Sequence, residues 1–418
     1  MRSFFAIFVL EIKSLARSKT LAALFVAVGA WMVFLPHVTV SDGTAEGARR
    51  LYAEYSLGGV FALLVLSLAA TAAGGISSAR EAGVLQLETV RPVRLFKSAL
   101  ARMAAISVVG AVALAFAAAI LLARSDASRP CSRTAKPVME SPREEALRMY
   151  DVFMNAPDTP EKAKKADKAS VVRLLEQRSH DRYDTVAAGG SVKWDFPPIP
   201  RGAARISARL KFTTAFPGRR EMKGRLVFGG VETDLDGLTE MSLVRELSVD
   251  AESAASPSLE FKNLGKENLL FRPRADVEVL YSMKSDTFLA NLAMAWLELS
   301  ALVSLVVAFC VFLGACFGRS VAVFSAMAIL LAAVAAPSAV DEGADSLEGG
   351  RISAISTATV RAVAAATRPF DALRPIGRLS DDDRIPAAEA FGAVGYCSFL
   401  TPFVFSLLAA AAMRMKQS

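Results

Sequence analysis

The chain has 418 residues, of which 53% are hydrophobic and 21% are charged, and its formal net charge is +7 at pH 7. Its mean hydropathy of +0.38 is higher than that of an ordinary soluble domain. A nucleic-acid-binding protein needs its Lys and Arg residues clustered on one soluble face, whereas here much of the basic excess lies beside apolar segments. The composition therefore favours a membrane protein and argues against a nucleic-acid partner.

The potential metal ligands are too dispersed to predict a metal site. Structural and catalytic sites need three or four His, Cys or carboxylate ligands close together. Three of the cysteines lie within apolar runs, one stands alone, and the two histidines are far apart: Cys310, Cys316, Cys397, Cys131, His37 and His180. The same spacing provides no disulfide framework in the soluble part of the chain.

The amino terminus has the pattern of an amphipathic helix. Phe4, Phe8, Ile12 and Leu15 recur at helical spacing, and charged residues lie on the opposite side. The alternative is the charged head of a cleavable signal peptide, but such a head is shorter. We therefore expect a retained helix that lies in the membrane interface.

A bilayer-spanning helix needs about 20 mostly apolar residues. Six segments fit that criterion: Thr20–Leu35, Leu57–Ile76, Leu100–Ala123, Phe288–Phe317, Val321–Val340 and Ala387–Met413. Pro402 interrupts the last segment. We expect it to kink that helix without ending it, because neighbouring helices can satisfy the freed carbonyl group.

The orientation follows from the Lys and Arg residues close to the spans, since short cytoplasmic connections carry an excess of them. These residues precede the first span, fill the second-to-third connection, mark the fourth-to-fifth turn and follow the sixth span: Arg2, Lys13, Arg17, Lys19, Arg80, Arg91, Arg94, Lys97, Arg102, Arg319, Arg414 and Lys416. We therefore expect a multi-pass protein of the bacterial cytoplasmic (inner) membrane with both termini cytoplasmic and residues 124–286 extracytoplasmic.

This topology divides the chain into three parts. Residues 1–123 contain the interfacial helix, three spans and a charged cytoplasmic helix at 77–95. Residues 124–286 form the inserted domain, and residues 287–418 contain three further spans with an external loop at 341–385. The expected fold is an α-helical polytopic membrane protein of about six transmembrane helices with an inserted, mainly β, sandwich-like extracytoplasmic domain.

Within the insertion, the pattern changes from helical to extended. A helical lead-in is expected over 124–190, where Ser141-Pro-Arg-Glu-Glu has the character of a helix cap. Between Arg205 and Thr213, apolar and polar residues then alternate with a period of two, which predicts a half-buried strand. Further short strands separated by turn residues predict a sandwich-like domain over 191–286.

The sequence contains none of three common motifs of enzymes that hydrolyse nucleotides or other substrates. It lacks the Gly-x-x-x-x-Gly-Lys-Ser/Thr loop that cradles phosphates, the Gly-x-Ser-x-Gly elbow and the His-Glu-x-x-His zinc motif. We therefore expect no enzyme activity and no cofactor in this chain.

Glu298 is the one acidic residue inside an apolar run. A carboxylate within the membrane is a functional candidate by default, and it would then lie on a substrate path. The alternative is that the long fourth segment protrudes and leaves Glu298 at the outer interface.

The stretch after the second span carries a resemblance. The residues are Glu81-Ala-Gly83-Val-Leu-Gln-Leu-Glu88-Thr-Val-Arg91-Pro92-Val. They resemble the E-x-G-T-L-E-x-L-L-x-R-P-V stretch of type-2 ABC export permeases, with Val84 where Thr is common and Thr89-Val90 where two leucines are usual. The amphipathic head and the passage into the last span are similar to that family as well, whereas the insertion is not.

The resemblance implies the membrane-spanning permease subunit of an exporter. Such a subunit pairs with a second permease, identical or not, and with cytoplasmic ABC ATPase subunits that bind ATP and Mg²⁺. The helix Ser78–Arg94 would be the coupling element, and its ATPase-docking residues would be Arg80, Glu81, Glu88, Arg91, Pro92 and Arg94. The alternative function is a multi-span membrane anchor that displays its β domain to bind envelope components.

Overall fold

The structure, a computed structural model, describes residues 2–39, 45–83, 95–155, 168–180, 183–200, 203–214, 220–239, 242–247, 257–328 and 373–415. The chain forms two compact units. The helical unit comprises Met1–Arg129 and Thr287–Ser418, and the β unit comprises Pro130–Asp286. In the structure, the β unit therefore begins at Pro130 and not at residue 124.

Helices account for most of the described helical unit and for three described segments of the β unit. In chain order they are α1 (Arg2–Ala16), α2 (Lys19–Val38), α3 (Ala45–Glu81), α4 (Leu95–Ala123), α5 (Pro142–Asn155), α6 (Lys168–His180), α7 (Pro273–Asp276), α8 (Phe288–Cys316), α9 (Arg319–Ala328), α10 (Pro375–Ser380) and α11 (Ala387–Met415).

Among the described residues, five helices are long and apolar enough to cross a membrane: Lys19–Val38, Gly47–Ala79, Leu95–Ala123, Phe288–Cys316 and Ala387–Met415. The chain is therefore a helical membrane protein with a separate β unit. Of the remaining predicted span, Val321–Val340, the structure describes only the part within α9, and residues 329–340 lie outside the described residues.

Hydroxyl side chains cap the amino-terminal ends of two of these helices. The Ser18 Oγ accepts a hydrogen bond from the N–H of Leu21 at 3.2 Å at the start of α2. At the start of α8, the Thr287 Oγ1 accepts one from the N–H of Ala290 at 3.4 Å. Each bond satisfies one of the amide groups that a helix leaves unpaired at its first turn.

The long helices pack at very short range, and α2 runs antiparallel to α3 whereas α8 runs parallel to it. The Trp31 indole donates to the carbonyl of Tyr55 at 3.1 Å, which joins the end of α2 to the start of α3. A Cβ atom added at Gly314 of α8 would lie 2.4 Å from the carbonyl oxygen of Ala73 in α3. Only glycine permits this approach of two helix backbones.

The last span continues past Pro402, as predicted, and the structure shows how. Residues Val394–Leu400 of α11 form a π-helical segment just before the proline. The Thr401 hydroxyl donates to the carbonyl of Cys397 at 2.8 Å. The wider turn and this side-chain bond accommodate the proline ring and its missing N–H group, so the helix extends to Met415.

The β unit contains three sheets. Its strands are β1 (Pro130–Ala135), β2 (Asp184–Val186), β3 (Ser191–Asp195), β4 (Ala203–Lys211), β5 (Thr213–Thr214), β6 (Glu221–Phe228), β7 (Val231–Leu238), β8 (Ser242–Leu247), β9 (Ser258–Asn263), β10 (Leu269–Phe271) and β11 (Val277–Thr287). The sheet orders are β1-β11-β4-β8, β2-β10-β5 and β3-β9-β6-β7.

A phenylalanine core joins the three sheets. Phe212, Phe261 and Phe271 are fully buried, and each of their rings lies 5.2 to 5.4 Å from the other two. The alternation predicted around β4 is confirmed, since Ile206, Ala208 and Leu210 all face this core. The three sheets therefore pack around one shared core, and the insertion is mainly β.

The segment 124–190 is not the purely helical lead-in that its pattern predicts. It contains α5 and α6, but also β1 and β2, and its first residues belong to the helical unit. The predicted helix cap is present: the Ser141 Oγ accepts from the N–H of Glu144 at 3.2 Å, and the Glu144 carboxylate accepts from the N–H of Ser141 at 3.2 Å. The strand β1 was missed because its place is fixed by pairing with distant β11.

Candidate functional site

One end of the helical unit, which we call the basic end, is where α2 and α4 begin and α3 and α8 end. The contacts of α3 with α2 and with α8 define it. The exposed basic residues Lys13, Arg17, Lys19 and Arg319 lie at this end. Exposed Lys and Arg residues beside the spans are typical of the cytoplasmic side of membrane proteins.

Two of the predicted docking residues end the helix α3. Arg80 lies in its last turn, and the exposed Glu81 side chain accepts a hydrogen bond from the backbone N–H of Arg319 at 3.4 Å. Gly83 then adopts a left-handed backbone with φ of 73°, as glycine often does after a helix. The other predicted docking residues, Glu88, Arg91, Pro92 and Arg94, lie outside the described residues.

The end of α3 is firmly attached to α8 and to the turn after it. Below Glu81, a Cβ atom at Gly74 would be 3.7 Å from the Arg319 guanidinium nitrogen Nε. The preceding residue of α3, Ala73, lies against Gly314 backbone to backbone. The end of α3 is therefore in contact with both α8 and the turn that follows it.

Glu298 lies on α8 and is completely enclosed by protein, with a relative exposure of 0%. Neither of its carboxyl oxygens has a hydrogen-bond partner among the described residues. Its side chain is thus away from bulk water whatever depth α8 takes in a membrane. Most buried polar groups in proteins are hydrogen-bonded, so an unsatisfied carboxyl group needs an explanation.

Two charged side chains act electrostatically on Glu298: Arg378 of α10 and Glu389 of α11. These two form an ion pair, in which the Arg378 Nη1 donates to the Glu389 Oε2 at 2.6 Å. Their side chains are 32% and 29% exposed. The Arg378 guanidinium group is therefore bonded to the partly exposed Glu389 carboxylate, and both charges act on the enclosed, unbonded Glu298.

At the opposite end of the helical unit, which we call the loop end, the segment before α11 packs against the spans. The Asn291 amide of α8 donates to the carbonyl of Asp383 at 2.9 Å and accepts from the N–H of Ile385 at 2.7 Å. Arg50 at the start of α3 approaches Asp381 to 3.8 Å. These contacts attach the segment 381–385 to two spans.

Asp382 and Arg129 form a further ion pair at the loop end. The guanidinium group of Arg129 also lies 5.0 Å from the centre of the Phe288 ring. Burial raises the pKa of the Asp382 carboxyl above its ordinary value, and the charge of Arg129 opposes that rise.

Sequence reasoning missed Arg378, Glu389, Asn291 and Arg129. Each lies in or beside a predicted connection, where charged and polar residues are ordinary, and each is 80 or more residues from at least one of its partners. The only usable signal was the acidic residue inside an apolar run, because an enclosed carboxylate needs a compensating charge.

The arrangement brings charged groups of both signs together. Within the part of the chain that the structure describes, no three His, Cys, Asp or Glu side chains come together as a metal site. The helical unit has two notable features: a basic end, at which two long helices contact each other, and a buried carboxyl group near an ion pair. A scan of protein-family models finds no match to this chain, and neither do searches of the curated proteins and of the solved structures.

Proposed function

We propose that the chain is the membrane-spanning permease subunit of an ABC-type exporter. It lies in the lipid bilayer of the bacterial cytoplasmic membrane, where it pairs with a second permease and moves its substrate across that membrane. The energy comes from ATP that a separate cytoplasmic ATPase subunit hydrolyses with Mg²⁺. The observation that supports this proposal is that Glu81, where the family-like stretch begins, ends α3 and bonds Arg319 in the turn after α8, while α3 itself packs on α8 at Gly314.

The mechanical argument starts from that attachment. An ATPase that changes shape can drive transport only if its motion reaches the spans as a difference in contact energy between two states. The charged stretch offers polar groups for a soluble partner to hold. The close contacts of Gly314 and Arg319 with α3 then allow α3 and α8 to move as a rigid pair.

The topology in this proposal follows from the basic end. If that end is cytoplasmic, both termini are cytoplasmic and residues 124–286 are extracytoplasmic. The loop end then faces outward, and Glu298 lies between the two surfaces, on the substrate path.

A labelling experiment on the full chain in intact cells tests the topology. The variant Glu88→Cys is treated with a maleimide that cannot cross the cytoplasmic membrane, and Lys223→Cys on exposed β6 is the matched site in the β unit. We expect Lys223→Cys to react in intact cells and Glu88→Cys to react only after permeabilisation. The unsubstituted chain reports the background from its four native cysteines. Reaction of Glu88→Cys from outside would refute the proposal.

The coupling role is tested on the tagged chain purified from its own membranes together with any copurifying ATPase. We expect Glu81→Ala to lower the ATP hydrolysis of the complex without reducing the amount of chain in the membrane. Glu140→Ala, an exposed glutamate of the β unit, is the control and should leave hydrolysis unchanged. Equal hydrolysis by the two variants would mean that Glu81 does not couple.

The second candidate function is a membrane anchor that displays the β unit to bind envelope components. It is favoured by the compactness of Pro130–Asp286, which has its own hydrophobic core. In that case no ATPase copurifies with the chain, and the stretch after Glu81 tolerates substitution.

A further inference from the structure

The enclosed carboxyl group of Glu298 is the starting point. An ionised carboxylate moved from water into a protein interior loses several kcal/mol of solvation unless an opposite charge and hydrogen bonds replace the water. Glu298 has 0% exposure and no hydrogen bond to either oxygen among the described residues. In the geometry described, nothing satisfies a negative charge at this position.

The charged groups around Glu298 are few. Its own helix, α8, contains no other charged residue, and neither does α3 between Leu57 and Ala79 nor α4 between Met103 and Ala123. The other two elements, α10 and α11, pack on α8 and carry Arg378 and Glu389, the two charged side chains that act on the group. The described surroundings therefore reduce to two carboxyl groups and one guanidinium group.

The charge balance of these three groups requires one proton. Arg378 is always positively charged in proteins, so two ionised carboxylates beside it would leave an uncompensated negative charge inside the bundle. One bound proton makes the set neutral. Since Arg378 bonds Glu389 at 2.6 Å, the carboxyl group left to carry that proton is Glu298.

We propose that Glu298 and Glu389 are a proton-binding pair that shares Arg378, so that the group holds one proton in either of two arrangements. In the first, Glu298 is protonated and Arg378 bonds the Glu389 carboxylate. In the second, the O–H bond of Glu298 breaks and an O–H bond forms at Glu389. Arg378 keeps its own protons and bonds the Glu298 carboxylate.

The ligand of this site is a proton, and its route to water is Glu389. That side chain is 29% exposed, whereas Glu298 is enclosed. The second arrangement draws Arg378 of α10 towards α8 and releases its bond to α11. Proton transfer is thereby linked to the packing of α10 and α11 on α8, and this inference stands whether or not an ATPase subunit binds the chain.

Infrared difference spectroscopy of the purified full chain in lipid nanodiscs tests the proposal at neutral pH. Exposed carboxyl groups are ionised there, because their ordinary pKa values are about 4, so a protonated buried carboxyl group stands out by its C=O stretching band. We expect the unsubstituted chain to show this band and Glu298→Gln to lose it.

The partner variants separate a shared proton from an isolated one. In Glu389→Gln the guanidinium group loses its bonded carboxylate, turns to Glu298 and stabilises its ionised form, so the band should disappear although Glu298 is present. In Arg378→Gln both carboxyl groups lack a partner, so the band should grow about twofold. In Arg378→Lys the positive charge is retained, and the band should match that of the unsubstituted chain.

Two results would overturn the proposal. The first is the absence of a protonated-carboxyl band in the unsubstituted chain. The second is a band of full intensity in Glu389→Gln, which would show that any proton on Glu298 is independent of the ion pair. Equal circular dichroism and equal elution volumes establish that the variants are folded. If Arg378→Gln fails this check, the result for Glu389→Gln decides alone.

Discussion

In the β unit, the buried amide of Asn263 is fully hydrogen-bonded, whereas in the helical unit the buried carboxyl group of Glu298 has no hydrogen bond among the described residues. The nitrogen of Asn263 donates to the carbonyl oxygens of Val186 at 3.2 Å and Glu267 at 2.7 Å, and its oxygen accepts from the N–H of Gly265 at 3.0 Å. The same kind of burial therefore has two different outcomes in one chain.

The contrast extends to the acidic residues. In the β unit, Asp286 pairs with Arg133 through two bonds of 2.6 and 3.2 Å, and Asp276 pairs with Arg272 through bonds of 3.0 and 3.1 Å. These groups fix the positions of the strands and turns that carry them. Glu298 forms no such bond in the described geometry and positions no other element. A function explains its presence better than stability does.

The largest effect is expected from Asn263→Ala. The substitution leaves the buried carbonyl groups of Val186 and Glu267 without their donor, and each unsatisfied group costs about 1 to 3 kcal/mol. We expect the β unit to lose about 3 kcal/mol of its free energy of unfolding. Hydrogen exchange of the β9 amides in the full chain measures this loss.

The control for that variant is Asn268→Ala, the same change at an exposed asparagine that accepts one bond from Ala188. We expect hydrogen exchange to be nearly unchanged in this variant. If the two variants lose equal protection, the bonds of Asn263 do not stabilise the β unit.

A smaller effect is expected from Gly314→Ala in the helical unit, which is held together by close backbone contacts. The added Cβ atom would lie 2.4 Å from the Ala73 carbonyl oxygen, so α3 and α8 must separate. Overpacking of this kind costs about 1 to 3 kcal/mol. The thermal unfolding temperature of the full chain in detergent should fall.

Gly75→Ala is the matched control, since no atom lies within 4 Å of its Cβ position. Alanine is a better helix former than glycine, so this variant should unfold at the same temperature or a higher one. An equal decrease in both variants would remove close packing as the explanation.

The two units should also respond oppositely to acid. The pKa of Asp382 is raised by burial, so its contribution to stability is fully present below its ordinary pKa of 3.8 and is lost as the pH rises through the raised value. Hydrogen bonds from Ser141 lower the pKa of Glu144 in the β unit, so its contribution is present above 4.5 and is lost on acidification.

Asp382→Asn isolates the helical half of that comparison. Asp382 has a left-handed backbone with φ of 58°, which asparagine adopts readily. We expect the variant to be at least as stable as the unsubstituted chain at neutral pH and equal to it near pH 4, about the ordinary pKa of aspartate. A difference in melting temperature that grows on acidification would contradict the expected pH dependence.

The smallest effect is expected from Arg225→Gln on β6. Its guanidinium group bonds Glu232 and Asp234 of β7, both at 2.8 Å, but the pairs are exposed and water screens them. The melting temperature should stay within experimental error, in contrast to Asn263→Ala. A decrease comparable to that of Asn263→Ala would show that exposed pairs also stabilise the β unit.

The features that were predictable from the sequence are the local ones. The alternation through Ile206, Ala208 and Leu210 and the cap formed by Ser141 and Glu144 depend on residues a few positions apart. The long apolar runs likewise identified the spans, because a helix satisfies its own backbone.

Features fixed by distant partners were not predictable. Strand β1 lacks a strong pattern and depends on pairing with β11, roughly 150 residues later. The neighbours of Glu298 lie 80 and 91 residues further along the chain (378 − 298 and 389 − 298). A sequence shows that a buried carboxyl group needs a partner, but only the fold selects which residue provides it.

The π-helical segment Val394–Leu400 sets the angular phase of the last span. A π turn closes its hydrogen bond over five residues and an α turn over four, so the π turn contains one residue more. Each residue advances an α-helix by about 100°. Phe405 meets Phe309 and Phe312 of α8 at 5.8 and 5.7 Å only at this phase. Deletion of one residue in this segment would therefore rotate the second half of α11 about its axis. A different row of side chains would then face α8.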